Sequence, residues 1–160
     1  MLAVSIPEVK TFMNHLLCQN TFDAFHVTEI SLTTFSIFTM DGHIQKDYYT
    51  AEEYETLCGD GYPLARWRQF RPICFDLIKG KHTPLAFSIV FQLSRTATEK
   101  FLAGLDTAFT LSDINGLFVN LRYSEGSLTA VTGTSLKIFS MDKSLESAWD
   151  QKIQKFILSL

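Results

Sequence analysis

The hydrophobic and polar residues of the chain follow two periods, and the shorter one is clearest in the second half. Residues 117–123 and 128–132 alternate between apolar and polar, which is typical of strands. Glu125-Gly126 lies between the two runs and favours a tight turn, because glycine accepts the positive φ that hairpins need. Residues 133–135 predict a second turn, which leads into 136–141. The pattern therefore predicts a meander of three strands.

A similar pattern occurs earlier in the chain. Residues 25–32 and 34–40 are rich in Phe, Val, Ile and Thr, which favour strands. Asp41-Gly42 is typical of a hairpin turn, so residues 43–49 are predicted to be the return strand. Single strands are predicted at residues 2–6 and 87–93, one ahead of each meander.

Apolar residues at three- and four-residue spacing predict helices between the strands. Capping boxes are predicted at Ser5 to Glu8, before a helix over 9–17, and at Thr96 to Glu99, before a second short helix. Pro72 lacks the amide that an interior helical turn needs, so we expect a kink or a junction between two helices there. The Gly and Pro content of residues 58–63 predicts a loop between the two halves. Further helices are predicted at residues 50–57, 64–79 and 144–160.

The order of these elements occurs twice. A strand, a capped helix, three strands and a helix are predicted over residues 1–82 and again over 83–160. Repeats of this kind indicate a duplicated unit. A chain of 160 residues is also long enough for one core, so we predict a single α+β domain over residues 1–160 that contains two β-α-β-β-β units.

Short motifs in both halves resemble the domain of DNA sliding clamps, the processivity factors of replication. They are residues 115–118 with 127–134, and residues 35–41, which keep the aspartate of the clamp pattern at Asp41; Thr134 lies near the corresponding place in the second half. The resemblance covers most of the chain in the order of its elements. It implies two antiparallel sheets with helices packed on one side. The whole chain also resembles a small family of bacterial proteins of unknown function.

The chain departs from a working clamp in two respects. A ring would need about six copies of a single such domain. The polar faces of the capped helices offer few cations for phosphate, although each neutralised phosphate needs its own; they are Lys10, His15, Arg95 and Lys100. The prediction is therefore a non-enzymatic binding or scaffolding module with a clamp-like fold, and the resemblance alone implies a link to DNA metabolism. A homo-oligomeric clamp that encircles DNA is one alternative.

Acidic and basic residues are concentrated in two neighbouring segments in the middle of the chain, although the net charge is only −3. Such a balance argues against a nucleic-acid binder that uses its whole surface. Residues 41–60 are acidic and residues 61–82 are basic. The basic stretch interleaves cations with aromatic side chains, a pattern suited to phosphate or to an acidic partner. Alternatively, its aromatic residues enter the core and its arginines neutralise the acidic segment. The predicted binding patch consists of Arg66, Trp67, Arg68, Arg71, Lys79 and Lys81.

No catalytic, metal or cofactor motif is found in the sequence. The histidines have no metal-ligand spacing, and Cys18, Cys58 and Cys74 form no CxxC pair. Neither a Gly-rich phosphate loop nor a GxSxG motif is present. No catalytic residue, metal or cofactor is therefore predicted, and a small enzyme with a site assembled from dispersed residues is the second alternative.

The expected compartment and partners depend on whether the sequence contains a membrane-spanning or targeting segment. No run approaches the roughly 18 apolar residues that span a bilayer, and the N-terminus has no signal-peptide pattern. We expect a cytoplasmic protein that does not bind membranes. A protein partner or self-association is the first expectation, and nucleic acid is the second.

Overall fold

Six strands form one antiparallel sheet in residues 1–59 and 61–160, the part of the chain that the computed structural model describes. Their order across the sheet is β1-β6-β5-β4-β2-β3, so β1 and β3 are the edges. Every neighbouring pair is antiparallel. The strands are β1 (Ala3–Ile6), β2 (His26–Thr33), β3 (Ile37–Asp41), β4 (Ala86–Gln92), β5 (Ile114–Ser124) and β6 (Ser127–Leu136).

Five α-helices connect or follow these strands within the described residues. They are α1 (Val9–Leu17), α2 (Ala51–Leu57), α3 (Trp67–Ile78), α4 (Arg95–Ala103) and α5 (Ser144–Leu158). Single 3₁₀ turns lie at Lys46–Tyr48 and Leu111–Asp113.

The core lies on one face of the sheet. Alternate strand residues such as Ile30, Ile89 and Leu121 are buried, whereas Ser88 and Arg122 on the other face are half-buried or exposed. Three helices pack on the buried face through an aromatic cluster, in which ring centroids lie 5.4–5.5 Å apart. Phe12 of α1, Phe22, Trp67 of α3, Phe91 of β4 and Phe156 of α5 form this cluster.

The α+β class is confirmed, but the prediction of two sheets is wrong. Strand β4 pairs with β2 on one side and with β5 on the other, which joins the strands of both halves into a single sheet. The third strand predicted for each unit is also missing. Each half contains a strand, a helix, two strands and then one or two helices. Duplication and clamp-likeness stay predictions.

The first missing strand is explained by Gly42, which does not turn the chain back along β3. The β2–β3 hairpin closes earlier, where the amide of Thr34 donates to the carbonyl of Ser36. The carbonyl of Gly42 instead accepts from Ala65, whose own carbonyl accepts from Val27. Residues 64–66 thus continue the line of β3 beside β2, and the chain leaves the sheet after His43, which forms a bridge with Leu64.

The second missing strand is explained by the length of β6. The turn at Glu125 and Gly126 is confirmed, with φ values of 50° and 78°. No second turn follows, because Gly133 and Ser135 pair with Phe118 and Gly116 of β5. Residues 137–143 are irregular.

Several predicted helix ends differ from the structure. Ser5 lies in β1, and Glu8 precedes α1 without a side-chain cap. Ser94, and not Thr96, caps α4. Helix α3 begins at Trp67 and continues through Pro72, so the predicted junction between two helices does not occur. The predicted loop at 58–63 includes residue 60, which lies outside the described residues.

Candidate functional site

Trp67, the aromatic centre of the predicted patch, belongs to the core. It is fully buried and stands edge-on to Phe91, with a centroid distance of 5.4 Å. Its indole nitrogen donates to the carbonyl of Leu16, 2.8 Å away, near the end of α1. Since a carbonyl near the end of a helix has no partner within that helix, this bond satisfies it. Trp67 is therefore a structural residue and is not available to a partner.

Two arginines of the predicted patch hold the turn that precedes β2. Arg71 makes two parallel bonds to the carboxylate of Asp23, at 2.9 and 3.0 Å. Arg66 donates from Nη1 to the carbonyl of Ala24, at 2.7 Å. The expected alternative was neutralisation of the acidic segment 41–60, yet Asp23, which binds Arg71, lies outside that segment.

The remaining cations of the predicted patch, Arg68, Lys79 and Lys81, are exposed at opposite ends of α3. At 1.5 Å per residue, Arg68 and Lys79 are roughly 16 Å apart along the helix axis. Lys79 pairs with Asp76 at 3.0 Å and lies over the ring of Phe75. The structure therefore does not bring the six predicted residues together on one surface.

The other flank of α3 borders an apolar groove, which we call the α3 groove. Residues 43–49 form its opposite wall, and the amide of Ile44 donates to the carbonyl of Pro63 at 2.9 Å. The groove encloses about 460 Å³. Tyr48 is 82% exposed at its rim and Ile73 is 49% exposed. The lining residues are His43, Ile44, Gln45, Tyr48, Tyr49, Ala65, Gln69, Phe70 and Ile73.

Acidic side chains lie next to this groove but do not line it. Helix α2 follows residues 43–49 directly in the chain. It begins with a capping box between Thr50 and Glu53, whose two bonds are 3.1 and 3.2 Å long. A second cavity of about 370 Å³, lined by Glu52 and Glu53, adjoins the groove through the shared residue Tyr49. We call Asp47, Glu52 and Glu53, all exposed, the acidic bank.

A polar pair lies at the end of β3. The Nδ1 atom of His43 is 2.6 Å from an Oδ1 atom of Asp41, which also accepts from the backbone amide of His43 at 2.9 Å. The backbone bond and then the side-chain bond lower the pKa of Asp41. Together with Thr28 and Thr39, this pair lines a third cavity, which is separate from the two described above and has a volume of about 370 Å³. Asp41 orients the imidazole, but both side chains are exposed to solvent.

The cysteines and other metal-ligand residues offer no further site in the described ranges. Cys74 is buried, and desolvation raises the pKa of its thiol to about 12. A nucleophilic thiolate is therefore disfavoured at this position. Within residues 1–59 and 61–160, no three His, Cys, Asp or Glu side chains come together as metal ligands.

Fold and groove together define an α+β protein with one antiparallel sheet and an exposed apolar groove beside α3. The chain belongs to the family of unknown function DUF5721, whose model matches residues 15–159. This finding confirms the expected membership of an uncharacterised family and lends no support to the clamp resemblance. No curated protein and no solved structure matches the chain. None of the described helices is long and apolar enough to cross a membrane.

The groove was missed because residues 43–49 were predicted to be a strand. One signal against that prediction was present in the sequence. Three polar residues in a row, Gln45, Lys46 and Asp47, separate Ile44 from Tyr48, whereas a half-buried strand alternates at every second position. Spacing of this kind is closer to that of a helical turn, and a 3₁₀ turn lies there.

Proposed function

We propose that the protein is a non-enzymatic binding module that holds a segment of a partner protein in the α3 groove. The observation that carries this proposal is the exposure of Tyr48 and Ile73 beside an apolar floor. Aromatic residues are enriched where proteins bind one another, and clustered apolar exposure marks such surfaces. Nothing in this role requires a cofactor.

The openness of the groove favours a protein segment over a small molecule. Sites for small molecules bury most of the ligand surface in a concave pocket. In the α3 groove, Tyr48 is largely exposed and Tyr49 is half-buried, so the walls reach only one side of an occupant. An apolar side chain presented by a protein surface suits this shape, because the rest of the partner then covers the rim.

The clamp resemblance supports a weaker alternative, which is binding of nucleic acid by this chain or by a ring of copies. Arg68, Lys79 and Lys81 are exposed and suited to phosphate contact. Trp67 is buried and therefore cannot stack on a base. The observations thus favour a protein partner. A single domain and a cytoplasmic location stay predictions.

A photo-crosslinking experiment tests the proposal. Benzoylphenylalanine replaces Ile73 in the full chain, and the matched control places it at Leu158, an apolar helical position that is 66% exposed. After irradiation of cells that make the protein, we expect a discrete adduct at position 73 that is absent at 158. Peptide mapping then identifies the crosslinked protein, and calorimetry measures its affinity.

The affinity measurement decides whether the groove is the binding site. We expect Ile73→Glu to weaken binding of the purified partner by about tenfold or more, and Leu158→Glu to leave it unchanged. The proposal is wrong if position 73 gives no more adduct than position 158. It is equally wrong if Ile73→Glu and Leu158→Glu bind alike.

A further inference from the structure

The segment between β6 and α5 carries the most exposed apolar residues of the second half. Residues 137–143, which we call the Phe139 loop, include Phe139 at 92%, Met141 at 84% and Ile138 at 50% exposure. The loop is bonded to the rest of the fold at its start, and a local turn leads from its end into α5. The amide of Lys137 donates to the carbonyl of Asp113 at 2.8 Å, and the amide of Ser144 donates to Asp142 at 2.9 Å. The loop therefore presents apolar side chains from a fixed base.

The chemistry of this loop matches that of the α3 groove. Lys137 and Lys143 flank the apolar residues and are exposed, and Lys143 also pairs with Glu146 of the same chain at 3.5 Å. The groove offers an apolar floor, Glu52 and Glu53 of the acidic bank line the adjoining cavity, and Asp47 follows the exposed Lys46 in the groove wall. Apolar burial at the centre with opposite charges at the rim is the arrangement of a specific protein interface.

We propose that the Phe139 loop of a second copy occupies the α3 groove, so that the protein self-associates head to tail. This inference rests on the proposed function, because it names the partner that the groove holds. Phe139 enters between Tyr48 and Ile73, and the flanking lysines face the acidic bank.

A chain cannot fill its own groove with this loop. Four strand spacings separate β6 from β3 in the sheet, which is roughly 19 Å. A seven-residue loop fixed at both ends reaches at most about 12 Å from its base. The occupant must therefore come from another molecule.

The proposed contact joins two different surfaces and is therefore heterologous. Such contacts repeat from copy to copy and give a closed ring or an open chain, whereas a symmetric dimer uses the same surface twice. An open chain keeps one free groove at one end and one free loop at the other until the ring closes. This property makes the interface testable by mixing variants.

The test is light scattering on the purified full chain over a range of concentrations. We expect the mass to rise with concentration beyond that of one chain and to fall as salt is added. Phe139→Asp removes the occupant, and Ile73→Glu blocks the groove, so each variant alone is expected to be monomeric. Leu158→Glu should associate like the wild type. Because all three side chains are exposed, unfolding transitions that match the wild type confirm that the variants fold.

Mixing the two monomeric variants gives the decisive result. Phe139→Asp keeps an intact groove and Ile73→Glu keeps an intact loop, so an equimolar mixture should form dimers and nothing larger. Symmetric self-association, by contrast, would not be restored by mixing. The inference is overturned if the wild type stays monomeric up to millimolar concentration, or if the mixture stays monomeric. If position 73 nevertheless crosslinks a different protein, the groove binds that protein and the proposed function survives. Absence of any adduct at 73 removes the proposed function itself.

Discussion

Gly42 lies so close to Val27 that a side chain at position 42 would overlap the carbonyl of Val27. The amide of Gly42 donates to the carbonyl of Thr28 at 3.0 Å, and its own carbonyl accepts from Ala65 at 2.8 Å. These bonds fix the point at which the chain leaves β3 and begins the wall of the α3 groove. The glycine is required here by close backbone approach rather than by a turn.

Gly42→Ala should therefore destabilise the protein strongly. The methyl group forces the backbones of β2 and residue 42 apart, and we expect a loss of about 2 kcal/mol or more in the free energy of unfolding. Urea unfolding measures the change. Gly104→Ala is the matched control, because a methyl group there meets its nearest atom at 3.6 Å, an ordinary contact. Equal effects of the two substitutions would contradict the claim that position 42 requires glycine because it lies so close to Val27.

Arg71 and Arg68 should differ in their effect on stability. Arg71→Ala removes a bidentate, half-buried pair with Asp23, and we expect a loss of about 1–2 kcal/mol. Arg68→Ala should change the free energy of unfolding by less than about 0.5 kcal/mol, since the side chain is exposed. A double-mutant cycle with Asp23→Ala isolates the pair. Additive effects of Arg71→Ala and Asp23→Ala would show that the bond contributes nothing.

The three cysteines should react with a thiol reagent in the order of their exposure. Cys18 is exposed and should label quickly at pH 8, Cys58 is half-buried, and Cys74 should label only after unfolding. Burial raises the pKa of Cys74 from 9.0 to about 12, so its thiol stays neutral in the folded state. The contribution of the Cys74 thiol to the free energy of unfolding is therefore fully present below pH 9 and falls as the pH rises toward 12. Mass spectrometry of labelled peptides assigns each site, and rapid native labelling of Cys74 would contradict its burial.

Thr132 should be more important for stability than its size suggests. Its hydroxyl accepts from the amide of Leu2 at 2.8 Å and also bonds to Asp150 of α5, which joins β1, β6 and α5. Thr132→Val keeps the shape, leaves the amide of Leu2 without its acceptor and removes one bond to Asp150, so we expect a loss of about 1–3 kcal/mol. Thr129→Val, on the uncovered face of the same strand, should be nearly neutral. Thermal unfolding compares the two variants, and similar losses would exclude a special role for Thr132.

Local sequence patterns correctly predicted those elements in which the buried residues recur at a regular spacing. The apolar stripe over 9–17 predicted α1, and the stripe over 144–160 predicted α5, because residues at helical spacing share one buried face. The tight turn at Glu125-Gly126 was predicted for a similar reason, since positive φ is a property of the residues themselves.

The predictions that failed depended on contacts between distant residues. Asp41-Gly42 has hairpin chemistry, yet the backbone of Val27 decides what Gly42 does. Likewise, the alternation in β4 does not encode that β2 and β5 pair on its two sides, which is why two sheets were expected. The dispersal of the predicted patch over different surroundings has the same cause. Arg71 is bound by Asp23 and Trp67 by Leu16, and neither partner lies near them in sequence.

The pairing of β1 with β6 affects how the protein can be made. Ala3 pairs with Val131, so the first strand has no partner in the sheet until β6 has left the ribosome. Val4 and Ile6 are buried in the finished sheet and stay uncovered throughout this time. Chains are synthesised from the N-terminus, and exposed apolar strands are what chaperones recognise. The nascent protein therefore carries an open first strand until β6 has been synthesised, and the sheet cannot be completed before that point.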